Sequence, residues 1–167
     1  MNRVYHYQMS ESLNSFGPLM QEALLQARLA GDKGEVPVGA VISRNGEIIA
    51  KAHNRVEELH DPTAHAELLA IREASQKLAN WRLPETVLCV TLEPCAMCVG
   101  AMRLARIPLI VYGAGDSRFG ALGSACDLSK DPKWGPPPTI IPGISAGECR
   151  ELLRSFFQEQ RAKETQS

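Results

Sequence analysis

No stretch of this 167-residue chain is long and apolar enough to span a bilayer. The segment from Met1 to Phe16 also lacks the apolar run of a signal peptide. The formal net charge of only −1 argues against strong indiscriminate binding to nucleic acid, and the odd number of cysteines, five, argues against a disulfide framework. We therefore expect a cytoplasmic protein with no membrane segment, in which residues 1–16 form a flexible arm and residues 17–167 a single domain.

Apolar periodicity and turn signals predict alternating strands and helices, hence an α/β fold. The predicted strands are Val38–Ser43, Ile48–Ala52, Thr86–Leu92, Leu109–Tyr112 and Thr139–Ile141. The predicted helices are Pro18–Ala30, a helix from the cap Asp61-Pro62-Thr63 to about Ala79, Pro94 to about Ala105, and a last helix that begins at a capping box of Ser145 and Glu148. Asn45-Gly46 predicts a tight antiparallel hairpin, and the strand-helix-strand unit from Thr86 to Tyr112 predicts a parallel pair.

Two short motifs carry the chemistry of a metal site. His65-Ala66-Glu67 supplies an imidazole and a carboxylate, and Pro94-Cys95-Ala96-Met97-Cys98 supplies two thiols. A structural zinc is closed by four protein ligands, whereas a hydrolytic zinc has three and leaves the fourth position to water. His65, Cys95 and Cys98 are three, so the motifs predict a catalytic zinc site. The glycine- and proline-rich stretch 113–138 is expected to form its rim.

Glu67 is predicted to carry protons rather than to bind the metal. It lies two residues from His65, and residues at that spacing on a helix do not share a face. His65 is expected in the first turn of its helix, and Cys95 with Cys98 in the first turn of another, so Glu67 can join them only over the end of its helix. Zinc lowers the pKa of a bound water to about 7, and a neighbouring carboxylate can take its proton and pass it to a leaving group. This chemistry suits attack on an amidine-like carbon with loss of ammonia.

Two other interpretations of these motifs stay open. A C-x-x-C pair can be a redox centre, although such motifs lack an upstream H-x-E. A structural zinc would need a fourth ligand. The available candidates are Cys89, Cys126, Cys149, His53 and His60.

Beyond these motifs, the chain resembles the bacterial tRNA-specific adenosine deaminases, which belong to the cytidine deaminase superfamily and convert adenosine to inosine at the anticodon wobble position. The resemblance runs from about Pro18 to Arg161. Its strongest segments are Glu35-Val36-Pro37-Val38-Gly39-Ala40-Val41, His53-Asn54-Arg55, His60-Asp61-Pro62-Thr63-Ala64-His65-Ala66-Glu67 and Thr91-Leu92-Glu93-Pro94-Cys95-Ala96-Met97-Cys98. The zinc motif marks the superfamily, and the flanking residues mark the subfamily.

This resemblance implies a three-layer cytidine-deaminase-like fold, in which helices flank a five-stranded mixed sheet. It implies hydrolytic deamination with one Zn²⁺ per chain, and a tRNA anticodon stem-loop as substrate. It further implies a homodimer whose RNA groove draws on both subunits. Residues 17–167 would then be a single zinc-dependent deaminase domain.

The resemblance also assigns roles to individual residues. It gives zinc to His65, Cys95 and Cys98, and proton transfer to Glu67. The residues implied to meet the RNA are Asn54 at the flipped adenosine, Val36 in the pocket wall, Ala66 and Pro94 through backbone groups near the base, and Phe156 with Phe157 near the anticodon loop. Asn54 as a strand-end turn residue and the two phenylalanines as core residues are alternatives that stay open.

The chain departs from the family pattern in its basic residues. Arg118 stands where the family commonly has lysine, and Gln158-Glu159-Gln160-Arg161 stands where the family is usually arginine-rich. Arg154 lies at helical spacing from Arg150 and Arg161, so we expect some of these arginines and Arg118 to contact phosphates. A solvated helix face is the alternative.

Two rival functions stay open. Guanine deaminases share the Pro-Thr-Ala-His-Ala-Glu run, but tend to have proline-phenylalanine-glycine where this chain reads Val36-Pro37-Val38-Gly39. A non-catalytic zinc module of an RNA-modifying complex is the other rival, and Glu67 argues against it because such a module has no need of a proton carrier.

Overall fold

The computed structural model describes residues 15–165. Most of the predicted arm, residues 1–14, lies outside the described residues, as do residues 166 and 167. The strands are β1 (Gly39–Arg44), β2 (Glu47–His53), β3 (Thr86–Leu92), β4 (Leu109–Ala114) and β5 (Thr139–Pro142). The α-helices are α1 (Gly17–Asp32), α2 (Val56–Leu59), α3 (Ala66–Lys77), α4 (Ala96–Leu104) and α5 (Ala146–Glu164), and a 3₁₀ turn covers Pro132–Trp134.

The five strands form one mixed sheet in the order β2-β1-β3-β4-β5. β1 pairs antiparallel with both β2 and β3, whereas β3, β4 and β5 run parallel. The predicted hairpin is confirmed, and Asn45 and Gly46 both take positive φ angles, 52° and 83°, as a tight hairpin turn requires. The predicted parallel pair of β3 and β4 is confirmed as well.

Helices cover both faces of the sheet, which gives three layers. Side chains alternate along β3: Leu88 and Val90 pack in the core beneath α3 and α4, whereas Cys89 packs in the core beneath α1 and α5. Apolar positions of α1, Met20 and Leu24 among them, are buried in the second core. The expected three-layer α/β fold is therefore confirmed.

The start of α3 differs from the prediction. Asp61 does not cap the helix; its carboxylate accepts hydrogen bonds from the backbone N–H and the hydroxyl of Thr63, which closes a separate turn. The helix begins at Ala66, so His65 is its N-cap residue with an extended backbone rather than a first-turn residue. The turn at Asp61 is not continued into a helix, because the backbone at His65 is extended.

The predicted capping box of α5 is wrong. Ser145 is the N-cap residue, but its φ angle is 51° and its side chain makes no capping hydrogen bond. Glu148 instead accepts hydrogen bonds from Arg28 and Gln21 of α1. Tertiary contact between the two helices has therefore replaced the local cap.

None of the helices between residues 15 and 165 is long and apolar enough to cross a membrane.

Candidate metal and substrate site

The three predicted zinc ligands come together at the starts of two helices. His65 is the N-cap of α3 and Cys95 is the N-cap of α4, each with an extended backbone. Cys98 lies in the first turn of α4. Both helix N-termini therefore direct their positive ends toward the cluster, which favours thiolates there.

The distances between the ligand atoms fit a zinc ion. His65 Nδ1 lies 3.8 Å from Cys95 Sγ and 3.6 Å from Cys98 Sγ. A tetrahedral ion with bonds of about 2.3 Å to sulfur and about 2.0 Å to nitrogen separates such atoms by about 3.6 Å. Both thiols are free, so the pair is not a disulfide. Among the described residues, no fourth histidine, cysteine or carboxylate joins the group, as a closed structural site would require.

The three side chains of the cluster shift one another's pKa values. The hydrogen bond with Cys98 lowers the pKa of Cys95 to about 4, and His65 adds to this effect. The same bond and burial raise the pKa of Cys98, while the contact with Cys95 raises the pKa of His65. Because zinc binds thiolates and neutral imidazole, its uptake releases protons from these groups.

Glu67 lies beside the cluster without belonging to the ligand group. It occupies the first turn of α3, is 4% exposed and lines the same pocket as His65 and Cys95. Burial raises the pKa of its carboxyl group. The extended backbone at His65 lets two residues that are only two positions apart face the same space. The carboxyl group is thus placed to exchange protons with a molecule held there.

Asn54 connects the end of the hairpin to α3. Its side-chain oxygen accepts a hydrogen bond of 2.9 Å from the backbone N–H of Ala66. This contact fixes the orientation of the amide and gives the Ala66 N–H a partner within the protein. The carbonyl oxygen of Pro94 likewise accepts a hydrogen bond from Ala121, at 2.8 Å. Each of these backbone groups therefore has one partner within the protein, and the carbonyl oxygen of Pro94 can accept a second hydrogen bond.

A cavity of about 750 Å³ opens over the cluster. Val36 and Asn54 line one side of it, while Arg118 and Phe157 lie on its rim. Phe156 does not line the cavity; it packs edge-to-face against Phe157, with ring centroids 5.4 Å apart. Arg154 does not line it either, and pairs with Glu151 at 2.7 Å on the surface of α5. The predicted substrate residues thus divide into those that line the cavity, Val36, Asn54, Arg118 and Phe157, and those that do not, Ala66, Pro94, Phe156 and Arg154.

Glu93 is a site residue that the sequence analysis did not identify. Its buried carboxylate accepts hydrogen bonds from the backbone of Asp116, Leu122 and Ser124 and from the Ser124 hydroxyl. Burial raises the pKa of this carboxyl group, but these hydrogen bonds outweigh it, so the pKa is lowered. A Cβ atom at Gly120 would lie 2.5 Å from the carboxyl carbon of Glu93, so only glycine fits there. The segment 115–124, called here the rim loop, is therefore fixed next to Cys95.

Comparison with known proteins agrees with this geometry. Residues 16–114 match the family described as the cytidine and deoxycytidylate deaminase zinc-binding region. The tRNA-specific adenosine deaminase of Bacillus subtilis is 44% identical over 144 residues, which are 86% of this chain and 89% of that protein.

Two solved structures are also similar. One comes from a study of A-to-I editing by tRNA deaminases at the wobble position of transfer RNA; it is 43% identical, with a TM-score of 0.78, over 81% of this chain and 98% of its own. The other is a guanine deaminase from Bacillus subtilis, which is 39% identical, with a TM-score of 0.56, over 59% of this chain and 63% of its own.

Proposed function

The chain belongs to the cytidine and deoxycytidylate deaminase family, and we propose that it acts as a tRNA-specific adenosine deaminase. It catalyses the zinc-dependent hydrolytic deamination of adenosine to inosine at the anticodon wobble position of tRNA. The observation that carries the activity is the group of His65, Cys95 and Cys98 beside the buried Glu67 in one cavity. The relatives named as tRNA-specific adenosine deaminases support the choice of substrate, since their identity to the chain extends over most of its length.

His65 Nδ1, Cys95 Sγ and Cys98 Sγ would hold the zinc ion. When bound, zinc lowers the pKa of water to about 7 and so makes a nucleophile available at neutral pH. Glu67 takes the proton of this water and gives it to the ring nitrogen of adenine as the oxygen adds to the amino-bearing carbon. It then takes the remaining proton from the added oxygen and passes it to the amino group; the C–N bond breaks, ammonia leaves and inosine remains.

The size and lining of the cavity suit a nucleotide as substrate. Its volume of about 750 Å³ exceeds what a single base fills. The amide of Asn54, held by Ala66, is placed to hydrogen-bond the flipped adenosine, and Val36 forms an apolar wall. A base in a loop is already partly unstacked, so moving it into a closed pocket costs less than from a duplex. Arg118 and Phe157 on the rim are the proposed contacts to the surrounding RNA.

A homodimer is part of the proposal. α4 exposes Met97 and Leu104, which are 38% and 63% exposed, with the partly buried Gly100 and Ala101 on the same stripe. Trp134, 40% exposed, lies beside Gly100. Exposed apolar patches of this kind mark interaction surfaces. We propose that a second copy of the chain covers this face of α4.

A single deaminase domain over residues 17–167 and a cytoplasmic location complete the proposal. The five cysteines support the location, because all of them are free thiols and two are committed to the metal.

Incubation of the purified protein with total tRNA, and separately with free guanine, cytosine and adenosine, tests the function. We expect inosine at the first anticodon position, read by sequencing, with matching ammonia release. Ammonia from guanine without inosine in tRNA would favour the guanine deaminase instead, and no ammonia from any substrate would favour a non-catalytic zinc module.

A further inference from the structure

An aromatic side chain on the rim loop has no role in the mechanism above. Phe119 is 63% exposed, which equals the exposure of Leu104 on the proposed dimer face. The ring lines the same cavity as Glu67 and Phe157. An exposed aromatic ring in the lining of a binding cavity is placed to contact a bound molecule.

Backbone contacts near the predicted zinc ligand Cys95 hold Phe119 in place. The Asp116 carboxylate accepts hydrogen bonds from the backbone N–H groups of Arg118 and Phe119, at 2.9 and 3.2 Å. The backbone N–H of Asp116 in turn donates to Glu93, at 3.1 Å. Gly120 forms an isolated β-bridge with Cys95. The ring is therefore presented on a segment that is tied to a metal ligand, and little ordering is needed when a ligand arrives.

A positive charge lies next to this ring. The guanidinium carbon of Arg118 lies 5.3 Å from the centroid of the Phe119 ring. Arg118 makes no ion pair with any residue between 15 and 165. Because this guanidinium lies over one face of the ring, a base can stack on the opposite face while its phosphate meets the cation, and this arrangement suits a nucleotide.

We propose that Phe119 is a stacking platform for a base adjacent to the target adenosine in the anticodon loop, and that Arg118 contacts the phosphate of that nucleotide. This inference rests on the proposed function. Phe119 and Phe157 line the same cavity of about 750 Å³ as Glu67, which has room for more than the target base. Stacking tolerates any base, so the platform contributes affinity for single-stranded RNA without reading its sequence.

Kinetics with an anticodon stem-loop test the proposal. We expect Phe119→Ala to raise KM by about 5- to 150-fold, the range that loss of one stacked base implies, with a much smaller change in kcat. Phe119→Trp should restore KM because it keeps an aromatic face. The matched control is Trp81→Ala, which removes an exposed aromatic ring that also lies next to an arginine, Arg82, but does not line the cavity. This control should retain the parent KM.

Stem-loops that lack the base on one or the other side of the target adenosine identify the stacked nucleotide. With one of these two abasic substrates, the parent and Phe119→Ala should have equal KM values, because the stacking partner is gone. A cost of Phe119→Ala that persists on both abasic substrates, or a KM equal to the parent's on the intact stem-loop, would overturn the proposal. So would a changed oligomeric state of Phe119→Ala in sedimentation, which would make the ring an interface residue. Failure of the parent to form inosine in any stem-loop would refute the proposed function itself.

Discussion

At the scale of single residues, the zinc site depends on three side chains whose ligand atoms are already spaced for a metal ion. The sequence motifs were sufficient to name His65, Cys95 and Cys98, because few chemistries need an imidazole and two thiols at this spacing. They could not show which imidazole nitrogen is used. In the structure it is Nδ1 that faces the two sulfurs.

Zinc content should depend on the two motif cysteines and on no other thiol of the chain. The parent is expected to hold about one zinc per chain, and Cys95→Ser and Cys98→Ser to lose it, because either change leaves an incomplete set of ligands. Cys126→Ser is the control, since this exposed thiol lies outside the cluster. Metal analysis of the three variants checks the prediction; full zinc in both motif variants would refute the ligand assignment.

Residues on the surface of the last helix were harder to predict. Helical spacing places Arg154 on a face of α5 but cannot show whether that face turns toward the cavity, and Arg154 instead pairs with Glu151. Phe157 lines the cavity while its neighbour Phe156 does not. Adjacent residues on a helix point in different directions, so only tertiary packing distinguishes them.

At the scale of elements, the strands followed from β-branched periodicity, and β3 has the predicted bounds, Thr86–Leu92. Helix starts were less predictable because local polar side chains compete for the same backbone groups. Asp61 binds Thr63 instead of capping α3, and Glu148 binds α1 instead of completing a cap. The role of Glu93 could not be read from the sequence either, since its partners lie more than twenty residues away in the rim loop.

Glu93→Gln should destabilise the protein in a pH-dependent way. The pKa of the Glu93 carboxyl group is lowered in the folded protein, so its stabilising effect is present above its ordinary pKa of about 4.3 and is lost as the pH falls through the lower folded value. In the variant, the amide NH₂ of glutamine would face backbone N–H groups of the rim loop that now donate to the carboxylate, so those hydrogen bonds would be lost. We expect a lower Tm than the parent at pH 7, and a difference that shrinks below about pH 4.

Thermal unfolding of parent and variant between pH 3 and 7 measures this difference. Glu151→Gln is a suitable control because its carboxylate also has a lowered pKa, owing to Arg154, but lies exposed on α5 away from the rim loop. The control should cost little stability. A Glu93→Gln deficit that stayed constant from pH 3 to 7 would show that its carboxylate charge is not what holds the rim loop.

At the scale of the whole molecule, the three-layer architecture follows from alternation along the strands and from apolar stripes on the helices. Both cores were therefore within reach of sequence analysis, as the buried positions of α1 illustrate. The exposed stripe of α4 was not, because an apolar helix position is ordinarily assigned to the core. Leu104 on α4 is 63% exposed, which agrees with the proposal that a second copy of the chain covers it.

Charge placed on this stripe should break the proposed dimer. The parent is expected to sediment with twice the 18.3 kDa mass of the chain, and Leu104→Glu to sediment as a monomer, because an unpaired carboxylate in an apolar interface is costly. Leu25→Glu, at a 54% exposed leucine of α1 on the other face of the sheet, should remain a dimer. Unchanged dimerisation of Leu104→Glu would exclude α4 from the interface.

The most direct test of the whole account is single-turnover inosine formation in an anticodon stem-loop by the parent and by Glu67→Gln, with zinc and RNA binding measured on the same samples. The variant should keep its zinc and its affinity for the stem-loop, because Glu67 is not one of the ligand residues. Its rate of inosine formation should fall by about 10²- to 10⁴-fold, because the general acid–base group is lost. Inosine formation by zinc-loaded Glu67→Gln at the parent rate would contradict the mechanism.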